Sequence, residues 1–221
     1  RSDVNWSANK LTLSAYRNIN IKSTLTANGT AALDMTSGSG GTIDYGLTAS
    51  GFMGKVNFGT RSGSGFLTIN GTPYTVITSL GEAGSTTKTD LQGMNGDLDG
   101  HYFLGANINA ANTSSWNSGA GFTPIGDIDH TAFRGIFDGG GHTINNLTIN
   151  RPGTNSVGLF GYIGNGVLAN VGLTAANITG NNRVGSLAGS MSGSSITSSY
   201  ATGGVSGTAG FFGGLAGTLS G

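Results

Sequence analysis

Cysteine is absent from the 221 residues of this chain. A disulfide framework and a thiolate metal site are therefore both excluded, and stability has to come from packing and backbone hydrogen bonds. The absence is also compatible with export through a narrow pore, where a premature disulfide would obstruct threading. Charge is nearly as scarce, since only 9% of residues are Asp, Glu, Lys or Arg, against about 25% in an average soluble domain. Ten basic and ten acidic residues leave a formal net charge of zero. With no basic cluster, the footprint of a nucleic-acid binder is missing and nucleic acid is set aside as a partner. No apolar run approaches the ~18 residues that take a helix across a bilayer, so the chain is expected not to span a membrane. The opening Arg1-Ser2-Asp3 lacks a signal-peptide pattern, and the chain reads as an excised piece.

What is present is glycine, 42 residues of it, beside a hydrophobic fraction of 36%. Disorder calls for low hydrophobicity together with high net charge. Neither holds, so the glycines are expected to serve turns between short β-branched runs. The C-terminal third repeats. Val157-Gly-Leu-Phe-Gly161 returns as Val184-Gly-Ser-Leu-Ala-Gly189 and as Phe212-Gly-Gly-Leu-Ala-Gly217, with closing glycines 28 residues apart both times. Between them, Ile178-Thr-Gly180 and Val205-Ser-Gly207 lie 27 apart. One unit of this length holds about three short strands, which suits one coil of a β-solenoid whose apolar side is buried only by stacking on its neighbours.

Upstream, Leu11-Thr-Leu13, Ile19-Asn-Ile21, Leu25 and Leu33-Asp-Met35 alternate apolar and polar, as half-buried strands do. Leu13 and Leu33 are 20 apart, which predicts a leaner coil, with turns at Asn28-Gly29 and Ser37–Gly41. Further strands are expected at Phe66–Asn70, Tyr74–Ile77, Tyr102–Leu104 and Thr143–Ile149, and one short helix over 87–98 from the spacing of Asp90, Leu91, Met94 and Leu98 after Thr87. Ala110–Gly121 and Asp127–Gly141 read as protruding loops. The expected fold is all-β, a right-handed parallel β-helix in one continuous solenoid, with haemagglutinin-type coils over 1–65, irregular coils with the helix and a loop over 66–126, and coils of period about 28 over 127–221. About eight to ten rungs at ~4.8 Å would make a rod roughly 40 to 50 Å long. The final Gly214-Leu-Ala-Gly-Thr-Leu-Ser-Gly221 stops within a coil, so the last rung should expose strand edges.

Phe122-Thr-Pro-Ile-Gly-Asp127, Phe133-Arg-Gly-Ile-Phe-Asp-Gly-Gly-Gly-His-Thr-Ile-Asn-Asn-Leu-Thr-Ile149 and Val157-Gly-Leu-Phe-Gly161 together resemble the GLUG repeats of large bacterial surface exoproteins. Leu11-Thr-Leu-Ser-Ala15, Ile19-Asn-Ile21 and Leu67-Thr-Ile-Asn-Gly71 resemble the filamentous-haemagglutinin type of exoprotein exported by two-partner secretion. The two resemblances cover nearly the whole chain. They imply a secreted or cell-surface protein, an outer-membrane transporter as partner of the full-length form, and roles as a stalk or in adhesion, aggregation or biofilm, with host-surface or matrix glycans or proteins as possible ligands. They imply no active site. The transporter-recognised secretion domain of that family is not evident here, and the first repeat lacks one glycine relative to Phe212–Gly217.

Chemical readings compete with plainer ones. A polysaccharide-processing β-helix enzyme could draw on Asp97, Asp99, Asp127, Asp129 and Asp138 with Arg134, His130 and His142 nearby, since a glycosidase needs two carboxylates across a sugar. Asp before Gly, as at Asp99 and Asp138, is also ordinary turn chemistry. Asp127, Asp129 and His130 lack the spacing and remaining ligands of a calcium loop. His101, at an apolar strand start, reads as a structural histidine. No Gly-x-Ser-x-Gly elbow, Walker lysine or dinucleotide fingerprint is present. No catalytic, cofactor-binding or metal residue is assigned. Of the aromatics Tyr16, Trp116, Tyr162 and Tyr200, Trp116 in its polar surroundings is the one expected to offer a sugar-stacking face, on a non-catalytic glycan-binding module. The six Asn-x-Ser/Thr sequons, at Asn5, Asn28, Asn70, Asn112, Asn146 and Asn177, match what 21 Asn and 51 Ser plus Thr would produce at random.

Overall fold

The computed structural model describes residues 2–127 and 131–221. Short strands joined by tight turns dominate, and the fold is all-β. Nearly every strand pairs in parallel with the strand one coil further along the sequence. Phe160–Gly164 stacks on Ala188–Ser192, which stacks on Ala216–Ser220, with Phe160 opposite Ala188 and Ala188 opposite Ala216. Each step is 28 residues, so the sequence repeat is the register of the ladder. Leu187 N–H donates to the Leu215 carbonyl at 2.9 Å, and Phe160 N–H to that of Leu187 at 2.9 Å.

The repeated closing glycine has a steric cause. A Cβ on Gly189 would stand 2.2 Å from the Ser156 carbonyl carbon, and one on Gly217 would stand 2.5 Å from the Val184 nitrogen. The backbone of one coil rests there on the backbone of the coil before it, and only glycine leaves room. The 27-residue interval between Ile178 and Val205 arises from a bulge. Gly172–Gly180 pairs with Tyr200–Gly207 in a register that shifts by one between Leu173 and Ala176, where Ala175 has φ of 50°.

A five-stranded parallel sheet runs from Thr75–Ile77 through His101–Leu104, Ile136–Asp138 and Val167–Ala169 to Ser195–Thr197. Tyr102, Phe137, Leu168 and Ile196 lie in one row and pack into the C-terminal core with Phe133, Phe160 and Leu173. Phe133 and Phe160 meet at 4.8 Å between ring centroids. Phe103, one residue along, faces a second core of Tyr45, Val56, Phe58 and Tyr74. Alternation along a strand therefore makes His101–Leu104 the shared wall of both cores.

Upstream, Lys10–Ala15, Ala32–Ser37 and Leu67–Ile69 form a parallel stack, as do Val4–Trp6, Thr24–Ala27 and Lys55–Asn57. Several expectations need correction. Leu33 pairs with Leu11, and Leu13 with Met35, so the lean coil has 22 residues rather than 20. The helix over 87–98 contracts to one 3-10 segment, Gln92–Gly96. Two glycines in those five residues disfavour an α-helix, while the Asp90 carboxylate holds the approach by accepting from Gly93 N–H at 2.7 Å and from the hydroxyls of Thr87 and Ser85. The loop expected at Ala110–Gly121 holds a 3-10 stretch, Ala111–Gly119, kinked at Trp116–Ser118. Asp127–Gly141 is no simple loop, because Ile136–Asp138 is a rung of the five-stranded sheet. Thr143–Ile149 divides into Thr143–Asn145 and Thr148–Asn150 around Asn146, whose φ is 60°.

Candidate functional site

The outer face of the five-stranded sheet carries the row Val76, Phe103, Asp138, Ala169, Thr197. Residues of the N-terminal stacks cover its first members, with Phe58 edge-on to Phe103 at 6.2 Å. The cover runs out at Asp138. From there a cleft of about 530 Å³ opens, with Asp138, Ala169 and Thr197 on its floor and Ile43, Asp44 and Tyr74 opposite.

Asp138 sits in the turn Asp138-Gly-Gly-Gly-His142, and close approach explains the three glycines. Gly141 faces Gly54 so tightly that a Cβ would stand 2.2 Å from the Gly54 carbonyl oxygen. Val56 N–H donates to the Gly140 carbonyl at 3.1 Å, and Gly139 N–H to that of Ala169 at 2.7 Å. The Asp138 carboxylate accepts from Gly140 N–H at 2.8 Å and from the Asn170 amide at 3.1 Å. It is 8% exposed, and burial outweighs both hydrogen bonds to push its pKa up to about 6. The turn chemistry expected of Asp-Gly is therefore real, and it holds a buried carboxyl.

His142 closes the turn. Its Nε2–H donates to the Val56 carbonyl at 2.9 Å, and Nδ1 stands 3.0 Å from the Asn107 side-chain oxygen. Burial brings its pKa down to about 4. Across the cleft, Asp44 pairs with Lys22 at 2.5 Å and accepts from Gly46 N–H at 2.8 Å. The Lys22 hydrogen bond is the main cause of its lowered pKa. Burial pushes Tyr74 up to about 12, with the Asp138 charge a smaller cause. Tyr45 is fully buried and its hydroxyl has no hydrogen-bond partner among the described residues. Burial, then the charge of Asp138, raises that phenol well above its ordinary range.

The remaining sequence candidates disperse. Asp127 lines a different cleft, of about 480 Å³, with Asn95 and Arg151, so Asp127 and Asp138 do not share a site. Arg151 there donates to the Phe122 carbonyl at 3.3 Å and the Thr123 hydroxyl at 3.1 Å. Asp129 and His130 lie outside the described residues. Asp97 pairs with Lys88 at 3.8 Å, and its carboxylate accepts from Asp99 N–H at 3.3 Å. His101 rests against the Tyr74 ring, 5.6 Å between centroids. Trp116 is half-buried and stacks on Phe122, with centroids 6.3 Å apart and planes at 20°. Tyr200 packs against Phe52 at 5.8 Å, whereas Tyr16 is 95% exposed. Sequence reading missed Asp44, Tyr74 and Asn170. Only the coil register brings them to Asp138, and no local motif marks them.

No helix among the described residues is long and apolar enough to cross a membrane, and among them no three His, Asp or Glu gather as a metal ion would require. A stretch of 106 residues is 46% identical to Halomucin of Haloquadratum walsbyi, covering 45% of this chain and 1% of that protein. A stretch of 62 residues is 45% identical to a Gly-rich membrane protein of Evansella cellulosilytica, covering 28% of this chain and 7% of that protein. This chain thus spans a small fraction of either relative. No family model matches it, and no solved structure matches it.

Proposed function

We propose that this chain is a structural and adhesive module of a secreted, cell-surface exoprotein, its coils forming one right-handed β-helix that serves as a stalk or in adhesion, aggregation or biofilm. The observation that carries the reading is the parallel ladder with its 28-residue register, from Phe160 to Ala188 to Ala216. Such stacking spends most of the chain on extending a stiff surface. The GLUG and haemagglutinin-type resemblance adds export through an outer-membrane partner. The partial likeness to Halomucin and to a Gly-rich membrane protein is in keeping with a surface or secreted location. Beads coated with the chain should clump, or attach to extracellular-matrix and polysaccharide films, well above albumin-coated beads. Equal behaviour of the two on every film overturns the adhesive part of the reading.

A second reading, polysaccharide processing, rests on one observation. Asp138 and Asp44 line the same cleft with pKa values displaced in opposite directions, as acid and base pairs require. Release of reducing ends from a glycan panel, abolished by Asp138→Asn, would establish it.

A further inference from the structure

We propose that the cleft between Tyr74 and the outer face of the five-stranded sheet is a binding site for an uncharged saccharide. The inference deepens the adhesive reading by naming a ligand class and a place for it, and it rests on that reading for its biological meaning.

The lining has two kinds of surface. Ile43, Ile69, Tyr74, Ile136 and Val167 supply apolar area, and the polar groups of Asp44, Asn70, Asn170, Thr197 and Ser198 stand among them. A sugar ring presents the same mixture, with C–H faces that need apolar cover and hydroxyls that both donate and accept. Carboxylates and amides satisfy such hydroxyls well, because hydrogen bonds to a charged acceptor are the stronger ones. The volume, about 530 Å³, falls within the range of small-molecule sites, ~300 to 1,000 Å³.

The charge pattern selects the class. Among the described residues two carboxylates line the cleft, and no lysine, arginine or histidine does. The nearby Lys22 ammonium is already held by Asp44. Asp44 is offset by Lys22, so Asp138 is the carboxylate on the lining with no cation beside it. Uronic acids and sulfated sugars would be repelled by it, whereas neutral sugars would not.

A second observation supports a site over an accidental gap. Asp138 is held nine-tenths buried at the edge of open space, near a wholly buried Tyr45 hydroxyl that has no hydrogen-bond partner among the described residues. Folded proteins rarely leave a buried polar group such as the Tyr45 hydroxyl without a partner, and a buried carboxyl at the edge of a cleft is a candidate binding group.

The test uses the full chain on an array of neutral and acidic oligosaccharides, followed by titration calorimetry of the strongest hit. Thr197→Trp fills the cleft from an exposed strand position, where an aromatic suits a β-strand. Ser206→Trp makes the same change at an exposed position of another sheet. A neutral oligosaccharide should bind the chain and Ser206→Trp alike, weaken at least tenfold with Thr197→Trp at unchanged melting temperature, and weaken about tenfold with Asp44→Asn. Absence of any neutral hit, preference for acidic sugars, or equal binding by Thr197→Trp overturns the proposal. Bead adhesion measured on the same variants separates the two ideas. Adhesion that survives Thr197→Trp keeps the adhesive reading and removes the cleft from it, whereas sugar binding without adhesion does the reverse.

Discussion

Asp138 and His142, four residues apart in one turn, are buried with opposite consequences for protons. The Asp138 carboxyl has its pKa raised from 3.8 to about 6. Over that interval the folded chain binds more protons than the unfolded one, so stability falls as pH rises from 3.8 to 6. The His142 ring has its pKa lowered from 6.5 to about 4. There the unfolded chain binds more protons, and stability falls as pH drops from 6.5 to 4. Between pH 4 and 6 the two slopes oppose each other and largely cancel. Single substitutions should uncover them. Asp138→Asn should become more stable, relative to the parent chain, as pH rises from 4 to 6, by on the order of 2 kcal/mol. His142→Gln should become less stable over the same range by a similar amount. Urea midpoints at pH 4, 5, 6 and 7 decide the matter, and parallel profiles for all three proteins would remove both pKa displacements. That these residues share a turn was legible in Asp-Gly-Gly-Gly-His. That Val56 and Asn107 bury it was not, because those contacts span 86 and 35 residues.

At the scale of the coil, the sequence disclosed most where side chains and steric limits coincide. The repeat at Gly161, Gly189 and Gly217 was readable because each coil must admit its neighbour's backbone at the same place. Gly189→Ala should therefore cost more than about 2 kcal/mol, since the obstructing atoms of Ser156 are backbone. Gly204→Ala should be neutral or stabilising by up to about 1 kcal/mol, because a Cβ there meets nothing within 4 Å. Thermal unfolding of the pair checks this, and equal losses at both sites would remove the steric explanation. The two-residue difference between the expected and the actual length of the lean coil has a related reason. An even slip leaves every apolar side chain on its own face, so alternation alone cannot choose between Leu13 and Leu11 as the partner of Leu33. The strand at Ile136–Asp138 is masked in sequence because the following glycines dominate the local pattern. The cleft was invisible in sequence, since it forms where Ile43, Asp44 and Tyr74 come to lie over a sheet whose strands begin at residues 75 to 195.

Across the whole molecule the two open ends of the stacks differ in kind. The edge strand Lys10–Ala15 carries Lys10, paired with Asp34 at 3.6 Å, and such edge lysines discourage pairing with another chain. At the other end, Ser195–Thr197, Tyr200–Gly207, Phe212–Gly213 and Ala216–Ser220 offer free edges, and no charged residue occurs from 195 to 221. The inward row Ile163, Met191, Leu219 loses its cover there, with exposures of 0%, 4% and 69%. Phe211, Phe212 and Leu215 are exposed beside it. An uncharged parallel edge over uncovered apolar side chains favours strand addition, so the isolated chain should self-associate through this face as its concentration rises. Leu219→Lys puts a charge under the edge without disturbing the coils beneath. It should shift sedimentation toward the monomer at concentrations where the parent chain is associated, while Lys10→Thr at the opposite edge should have the smaller effect. Association that persists unchanged in Leu219→Lys would place the contact elsewhere.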